Sequence, residues 1–232
     1  MQIISLIAQK GGTGKTTLSL SLAVAAHKAG KSVVIIDLDP QASAANWADR
    51  REEGAPVAVS AQVSRLQNVI ETAAENGVDF VVIDTPPKSE SASLAAAKAA
   101  DLILVPCRPQ IYDLETIPAT KEIISLAGDK PAIVVMNAVP PQGKRHEEAK
   151  QVIESLGLPV ASKAFIQRAA FGDAPNEGLT ALEYEPDGKA AQEIKALYRM
   201  VSKMLEGTDT EKKTKKQREV KNGKKKSSRR AA

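Results

Sequence analysis

The 232-residue chain has one cysteine, two histidines and few aromatics, with Phe, Tyr and Trp together only 3% of its residues. A single thiol, Cys107, excludes an intramolecular disulfide framework and any iron–sulfur cluster held by several cysteines. That scarcity suits a reducing compartment, and a cytoplasmic location is expected. His27 and His146 have no Cys, His or carboxylate at metal-ligand spacing, so both read as structural or surface residues. Cys107, with no paired His, reads as a packing residue. No apolar run approaches the ~20 residues of a membrane-spanning helix, and the first residues lack the basic-then-apolar layout of a secretion signal. With so few aromatics, the core has to be built from Ala, Val, Ile and Leu.

What the chain has is unevenly distributed. Its net charge is +4, with 32 Lys and Arg against 28 Asp and Glu. Residues 207–232 hold eleven of those basic groups and three of the acids, a net of +8, which leaves 1–206 at −4. Val220 is the one sizeable apolar side chain of the last segment. Such a segment cannot bury enough surface to offset its ordering entropy, so 207–232 is expected to be a disordered polybasic tail on a domain of residues 1–206. A tail of that charge suits contact with nucleic acid or an anionic surface.

Within 1–206, short β-branched runs at 3–8, 33–36, 57–59, 80–83, 102–105 and 133–136 alternate with helical stretches at 16–29, 62–76, 91–99, 114–126 and 147–156. The runs are continuous where a one-sided sheet would alternate, as expected of parallel strands covered on both faces. The pattern predicts an α/β fold: a mostly parallel sheet with helices on both faces and ligands at the carboxyl ends of its strands. A last helix near 188–205 carries Ile194, Leu197, Tyr198, Val201 and Leu205 at helical spacing, a stripe that reads as core docking.

The first strand leads into Gln9-Lys10-Gly11-Gly12-Thr13-Gly14-Lys15-Thr16-Thr17 and then a helix. Glycines let successive backbone N–H groups converge on one anion, and the helix N-terminus adds positive potential there. Lys15 is placed for the β- and γ-phosphates and the Thr16 hydroxyl for Mg²⁺. Position 9 holds Gln where the usual P-loop pattern has Gly, and Lys10 precedes Lys15 by five residues. The second strand ends in Asp37-Leu38-Asp39-Pro40, where alternation would turn both carboxylates to the same side. Two acids beside a phosphate require a cation between them. The fourth run ends in Asp84-Thr85-Pro86-Pro87.

With its deviant Walker A signature KGGTGKT, this ordered series resembles the ParA/MinD family of P-loop ATPases, and among them the short ParA-type plasmid partition proteins. The resemblance covers nearly all of 1–206 and implies roles residue by residue. Lys10, Gly11, Gly12, Thr13, Gly14, Lys15, Thr16 and Thr17 would bind ATP or ADP. Lys10 would reach across a nucleotide-sandwich homodimer to the partner's phosphates. Asp39 would orient the attacking water. Thr16, Asp37 and Asp84 would surround Mg²⁺, Asp37 from an outer position and Asp84 through a water. Asn137 would hydrogen-bond the adenine. The segment 105–110 resembles a proline-bearing stretch at the family's dimer face, and 167–171 with 177–180 its late loop and helix. Trp47, eight residues past Asp39, reads as packing.

The implied activity is slow Mg-dependent ATP hydrolysis, with no obvious arginine finger. The implied role is DNA partition: an ATP-bound dimer on non-specific DNA, nucleoid-associated and stimulated by a centromere-binding adaptor. Arg168, Lys189, Lys195, Arg199 and Lys203 are candidates for its DNA face. The alternative is a MinD-like ATPase at a membrane surface, disfavoured because the tail has almost no apolar face to insert. Eight residues before the first motif leave no room for an operator-reading extension, so specific operator binding is not expected.

Overall fold

Short continuous apolar runs can be covered on both faces only as central strands, and the helices between them then have to cross from strand to strand. A computed structural model of the chain, which describes residues 1–207, has this arrangement. In chain order the elements are β1 (Gln2–Leu6), α1 (Lys15–Lys28), β2 (Val33–Asp37), α2 (Ser43–Ala48), β3 (Val57–Ser60), α3 (Leu66–Glu75), β4 (Phe80–Asp84), α4 (Glu90–Ala99) and β5 (Leu102–Cys107). They continue with α5 (Ile111–Leu114), α6 (Ile117–Leu126), β6 (Ala132–Met136), α7 (Arg145–Ser155), α8 (Ala170–Asp173) and α9 (Ala181–Tyr184). A last helix, α10, occupies 189–207. The expected tail lies, from residue 208 on, outside the described residues.

The six strands lie in the order β3-β2-β4-β1-β5-β6, and every ladder between them is parallel. From β1 the chain builds outward through β2 and β3 on one side, returns to β4, then crosses β1 to lay down β5 and β6 on the other. The carboxyl end of β1 therefore sits where the strand order reverses, the position at which open α/β sheets bind ligands.

Alternate residues of each strand feed two cores. Ile4, Leu6, Ile35, Val82 and Leu104 face α1, α2 and α10, while Ile36, Val81, Ile83, Ile103 and Val105 face α3, α4, α6 and α7. Helix α1 is buried continuously from Leu18 to Ala26, because α9 and α10 cover the side it turns away from the sheet. Ile194, Leu197, Val201 and Leu205 of α10 are all at most 2% exposed, so its apolar stripe is committed to the core.

The chain departs from the sequence pattern in two places. The helix expected over 114–126 begins three residues later, as α6 at Ile117, because Pro118 is tolerated only in a first helical turn, and the short α5 before it is unexpected. Helices α2, α8 and α9 are too short to show a 3.6-residue period.

Helix α2 is fixed at its far end by a buried polar cluster. The Arg51 guanidinium stacks on Trp47, 4.5 Å from the ring centroid, and donates to Glu183 through Nη2 at 2.7 Å and Nη1 at 3.2 Å. It also donates to the Gly178 and Ala55 carbonyls, while Trp47 Nε1 donates to the Leu179 carbonyl at 3.0 Å. Gly178 has φ +67°, and a Cβ there would come within 2.6 Å of the Arg50 backbone, so only glycine permits this approach. Burial raises the Glu183 pKa, but the Arg51 fork, the Thr180 N–H and hydroxyl and the Arg51 charge outweigh it, and the net direction is down.

A carboxylate with a depressed pKa stabilises the fold above its unfolded value and loses that contribution as pH falls through the folded one. Glu183→Ala, which strands the Arg51 charge, is expected to cost roughly 3–5 kcal/mol at neutral pH in urea unfolding. The gap to wild type should narrow below about pH 4, as the wild-type carboxylate is itself protonated.

Candidate functional site

The parallel register aligns the chemistry. Leu6 of β1 and Asp37 of β2 are both paired with Asp84 of β4, so two acids and the start of the glycine-rich loop share one row at the carboxyl end of the sheet. Beyond Leu6 the loop runs across neighbouring strand ends. Gly11 lies against Pro87 past β4, Gly12 against Arg108 past β5, and Gly14 against Asn137 past β6.

Gly14 is the N-cap of α1 with φ +92°, and no side chain caps the helix and no acid occupies its first turn. A Cβ at Gly14 would collide with Asn137 Nδ2, which donates to the Thr13 carbonyl at 2.7 Å. The first N–H groups of α1 therefore face an open, positive end, arranged for an anion. Lys15 is 6% exposed and folds its Nζ back onto the Ala8 and Lys10 carbonyls, both at 3.2 Å. Burial lowers its pKa, with Asp84 and Asp39 opposing the shift. The Thr13 hydroxyl and Gln9 Nε2 are buried at the same loop without a hydrogen-bond partner among the described residues. A buried ammonium with only carbonyl partners, beside orphaned donors, fits a phosphate group well.

Asp84 is wholly buried and accepts from Thr16 Oγ1 at 2.7 Å and Ser19 Oγ at 3.1 Å. Thr16 and Ser19 are three residues apart on α1 and so share a face. Burial pushes the Asp84 carboxyl up to about 7. The Asp37 charge adds to the rise, while the Thr16 and Ser19 hydroxyls and Lys15 hold it back. Among the described residues no group of three or more His, Cys, Asp or Glu could hold a metal by itself. A Thr hydroxyl beside one buried carboxylate and a phosphate cradle is the donor set Mg²⁺ uses, since it keeps waters and takes phosphate oxygens as ligands.

The two acids at the end of β2 are not equivalent. The strand ends at Asp37, so the alternation expected to align Asp37 with Asp39 does not extend that far. Asp37 accepts from Asp39 N at 3.0 Å and from Ala44 N and Ala45 N at 2.9 and 3.3 Å. Its carboxylate thus holds the entry to α2; burial raises its pKa against those three amides. Asp39 is half-buried and accepts from Gln41 N at 2.9 Å.

The two lysines of the motif lie apart. Lys15 points inward, whereas Lys10 stands on the loop's rim with its Nζ 5.5 Å from the centroid of the exposed Tyr112 ring. A groove of about 800 Å³ lined by Gln9, Lys10, Lys88, Ser89, Glu90, Ser91 and Thr116 opens beside it. Thr17, half-buried in the first turn of α1, accepts through its carbonyl from the Ser21 hydroxyl.

Ser19 and Asp113 have no counterpart in the sequence expectations, and Arg108 stands in the matched segment 105–110 without a role of its own. Ser19 as a second hydroxyl on Asp84 is legible from its spacing to Thr16. Arg108 and Asp113 are not, because their pairing depends on the turn after β5. Cys107, beside them, is buried, and burial first, then the Asp113 charge, pushes its thiol up to about 12, with Arg108 opposing. Of the basic residues proposed for a DNA face, Lys195, Arg199 and Lys203 share one exposed stripe of α10, whereas Arg168 is paired with Glu193 at 2.8 Å.

The profile of the CobQ/CobB/MinD/ParA nucleotide binding domain matches residues 4–181. The chain is 35% identical over 210 residues to the maintenance of carboxysome distribution protein A of Gloeobacter kilaueensis, covering 88% of this chain and 94% of that one. It is 27% identical to the chromosome-partitioning ATPase Soj of Thermus thermophilus, over 84% of this chain and 92% of that one. In fold it superposes on the Mg-ADP complex of the septum site-determining protein MinD from Pyrococcus horikoshii with a TM-score of 0.69, at 22% identity, covering 89% of this chain and 98% of that chain.

Gly14→Ala forces a side chain into a left-handed conformation and displaces Asn137. Mg-ATP affinity, read by titration with a fluorescent analogue, should fall by roughly 10²-fold, the scale on which small misplacements of binding groups act. Wild-type affinity would contradict this geometry.

Proposed function

The chain belongs to the CobQ/CobB/MinD/ParA nucleotide-binding family, as a P-loop ATPase of the ParA/MinD positioning type that uses Mg-ATP and Mg-ADP, and we propose that it positions a cargo over non-specific DNA. ATP assembles a homodimer, the dimer holds DNA, and an adaptor protein on the cargo stimulates hydrolysis. The observation that carries this reading is the division between the two lysines: Lys15 is sealed inside the phosphate loop and Lys10 is presented on its rim.

In this reading Gly11, Gly12, Thr13, Gly14, Thr16 and Thr17 line the phosphates with backbone N–H groups, and Lys15 neutralises their charge from within. Thr16 would ligate Mg²⁺ and Asp84 would hold a water of its shell, while Asp37 would act from outside by fixing α2 and the Asp39 backbone. When bound, Mg²⁺ supplies charge neutralisation to the transferring phosphoryl group. Asp39, released from its own turn, orients the attacking water. Asn137 positions the base while its amide braces Thr13. Lys10 of one protomer completes the other's site, so the terminal phosphate favours the dimer over the monomer and hydrolysis reverses that preference.

The exposed row of Lys195, Arg199 and Lys203, at four-residue spacing, supports a phosphate-backbone contact that continues into the basic segment 208–232. A membrane-surface role like that implied by the MinD resemblance finds less support, because the apolar stripe of α10 is already buried. The cargo is read more broadly than a plasmid with a centromere-binding adaptor. The likeness to a carboxysome distribution protein supports a carboxysome, beside DNA, as a candidate cargo. In this reading the protein works in the cytoplasm, associated with the nucleoid.

The test is duplex DNA binding by the full chain at fixed salt with Mg-ATP or Mg-ADP. Binding with Mg-ATP alone is expected, weakened by Lys10→Ala and by Lys195→Glu/Arg199→Glu/Lys203→Glu. For every DNA phosphate that a variant no longer neutralises, the slope of log affinity against log salt should become shallower by about 0.9. Equal binding with both nucleotides, or none with either, would contradict the reading.

A further inference from the structure

Arg108 leaves β5 and folds back over the phosphate loop. Its Nε and Nη2 donate to the two carboxylate oxygens of Asp113 at 2.8 and 2.9 Å, and its backbone N–H donates to the same carboxylate at 3.3 Å. Asp113 is 1% exposed, so its side chain has nowhere else to go, and the fork is held in one orientation. The third guanidinium nitrogen, Nη1, donates to nothing among the described residues, and it lies 3.6 Å from the position a Cβ would take on Gly12. An arginine fixed on two sides and open on the third, beside a loop built for phosphate, has the shape of an oxyanion ligand.

The loop indicates which phosphate. Asn137 lies against Gly14 at one end, and Arg108 lies against Gly12 toward the other, the end that also carries Lys10 and approaches Pro87 past Asp84. A nucleotide whose base is at Asn137 has its terminal phosphate at the Gly12 end. The next residues of the same turn reinforce this, since Tyr112 carries the Lys10 ammonium on its ring. One short segment, 108–113, therefore places two cations against the rim of the loop.

Resting on the ATPase reading above, we propose that Arg108 is a catalytic residue supplied in cis, donating from Nη1 to the terminal phosphate, and that Asp113 is its positioning residue. In hydrolysis the water oxygen bonds to the terminal phosphorus while the bond from that phosphorus to the bridging oxygen breaks. The electron pair stays on the ADP oxygen, and the water proton goes to the phosphate released. Arg108 stabilises the negative charge on the transferring group and does not itself exchange a proton.

The experiment compares the full chain with Arg108→Lys and with Arg108→Ala/Asp113→Ala, the double variant leaving no buried carboxylate unpaired. ATP turnover, Mg-ADP affinity and rescue by low, non-denaturing guanidinium are measured. Turnover should fall by about 10²-fold in the double variant, the usual cost of removing one such donor. Mg-ADP affinity should hold, and added guanidinium should restore part of the rate to the double variant alone. Wild-type turnover in both variants, or loss of Mg-ADP binding together with turnover and no rescue, overturns the proposal, the second outcome making Arg108 a structural brace of the loop. A wild-type chain that binds no Mg-ATP would instead sink the reading beneath it.

Discussion

The structure is organised around a carboxylate that water does not reach. Asp84 ends the central strand β4 with no exposure, next to Asp37 in register and below Lys15 and the hydroxyls of Thr16 and Ser19. Burying an acid in this way is costly, and the protein offsets part of the cost with two hydroxyls and one ammonium. The remainder is visible as a carboxyl pushed up to about 7. A divalent cation inverts that balance, because positive charge stabilises the ionised form. The neighbouring loop shows the complementary deficit: helix N–H groups without a cap, a buried lysine on carbonyls and an orphaned Thr13 hydroxyl. Each half lacks what Mg-nucleotide supplies.

Mechanical consequences follow from how α2 is held. At its start the Asp37 carboxylate accepts from Ala44 and Ala45, and at its end Trp47 and Arg51 are bound to the 178–183 segment. The helix thus spans the distance between the phosphate site and a buried ion pair on the α1 and α10 side of the sheet. Asp39 is tied to the first of these ends, since its backbone N–H donates at 3.0 Å to the same Asp37 carboxylate.

Much of this is legible in the sequence, for reasons that differ between elements. The continuous runs at 33–36, 80–83 and 102–105 announce a parallel sheet because strands buried on both faces have no polar alternation. Lys15, Thr16, Asp37 and Asp84 can be found because strand ends and helix starts place their residues without help from distant parts of the chain. Asn137 is matched by resemblance, yet its bond to Thr13 and its clash with any side chain at Gly14 are not readable, since they join residues 123 or more positions apart. The same holds for Arg51 with Glu183. Arg108 stands in a matched segment, but an arginine's role depends on what fixes it, and Asp113 comes into place only through the short helix α5. The start of α6 is a different matter, since Pro118 marks it in the sequence itself and the helix expected from 114 overlooks it.

In the proposed reading, Mg²⁺ and nucleotide together complete a site that neither completes alone. The most direct measurement is the thermal midpoint of the full chain with ATP, with Mg²⁺ and with both. Only the combination should raise it, by several degrees for this size of chain, since a ligand at about 100 times its Kd stabilises by about 2.7 kcal/mol. A rise with ATP that is indifferent to Mg²⁺, or no rise with both, would contradict the placement of Asp84 and Thr16 at the centre of the site.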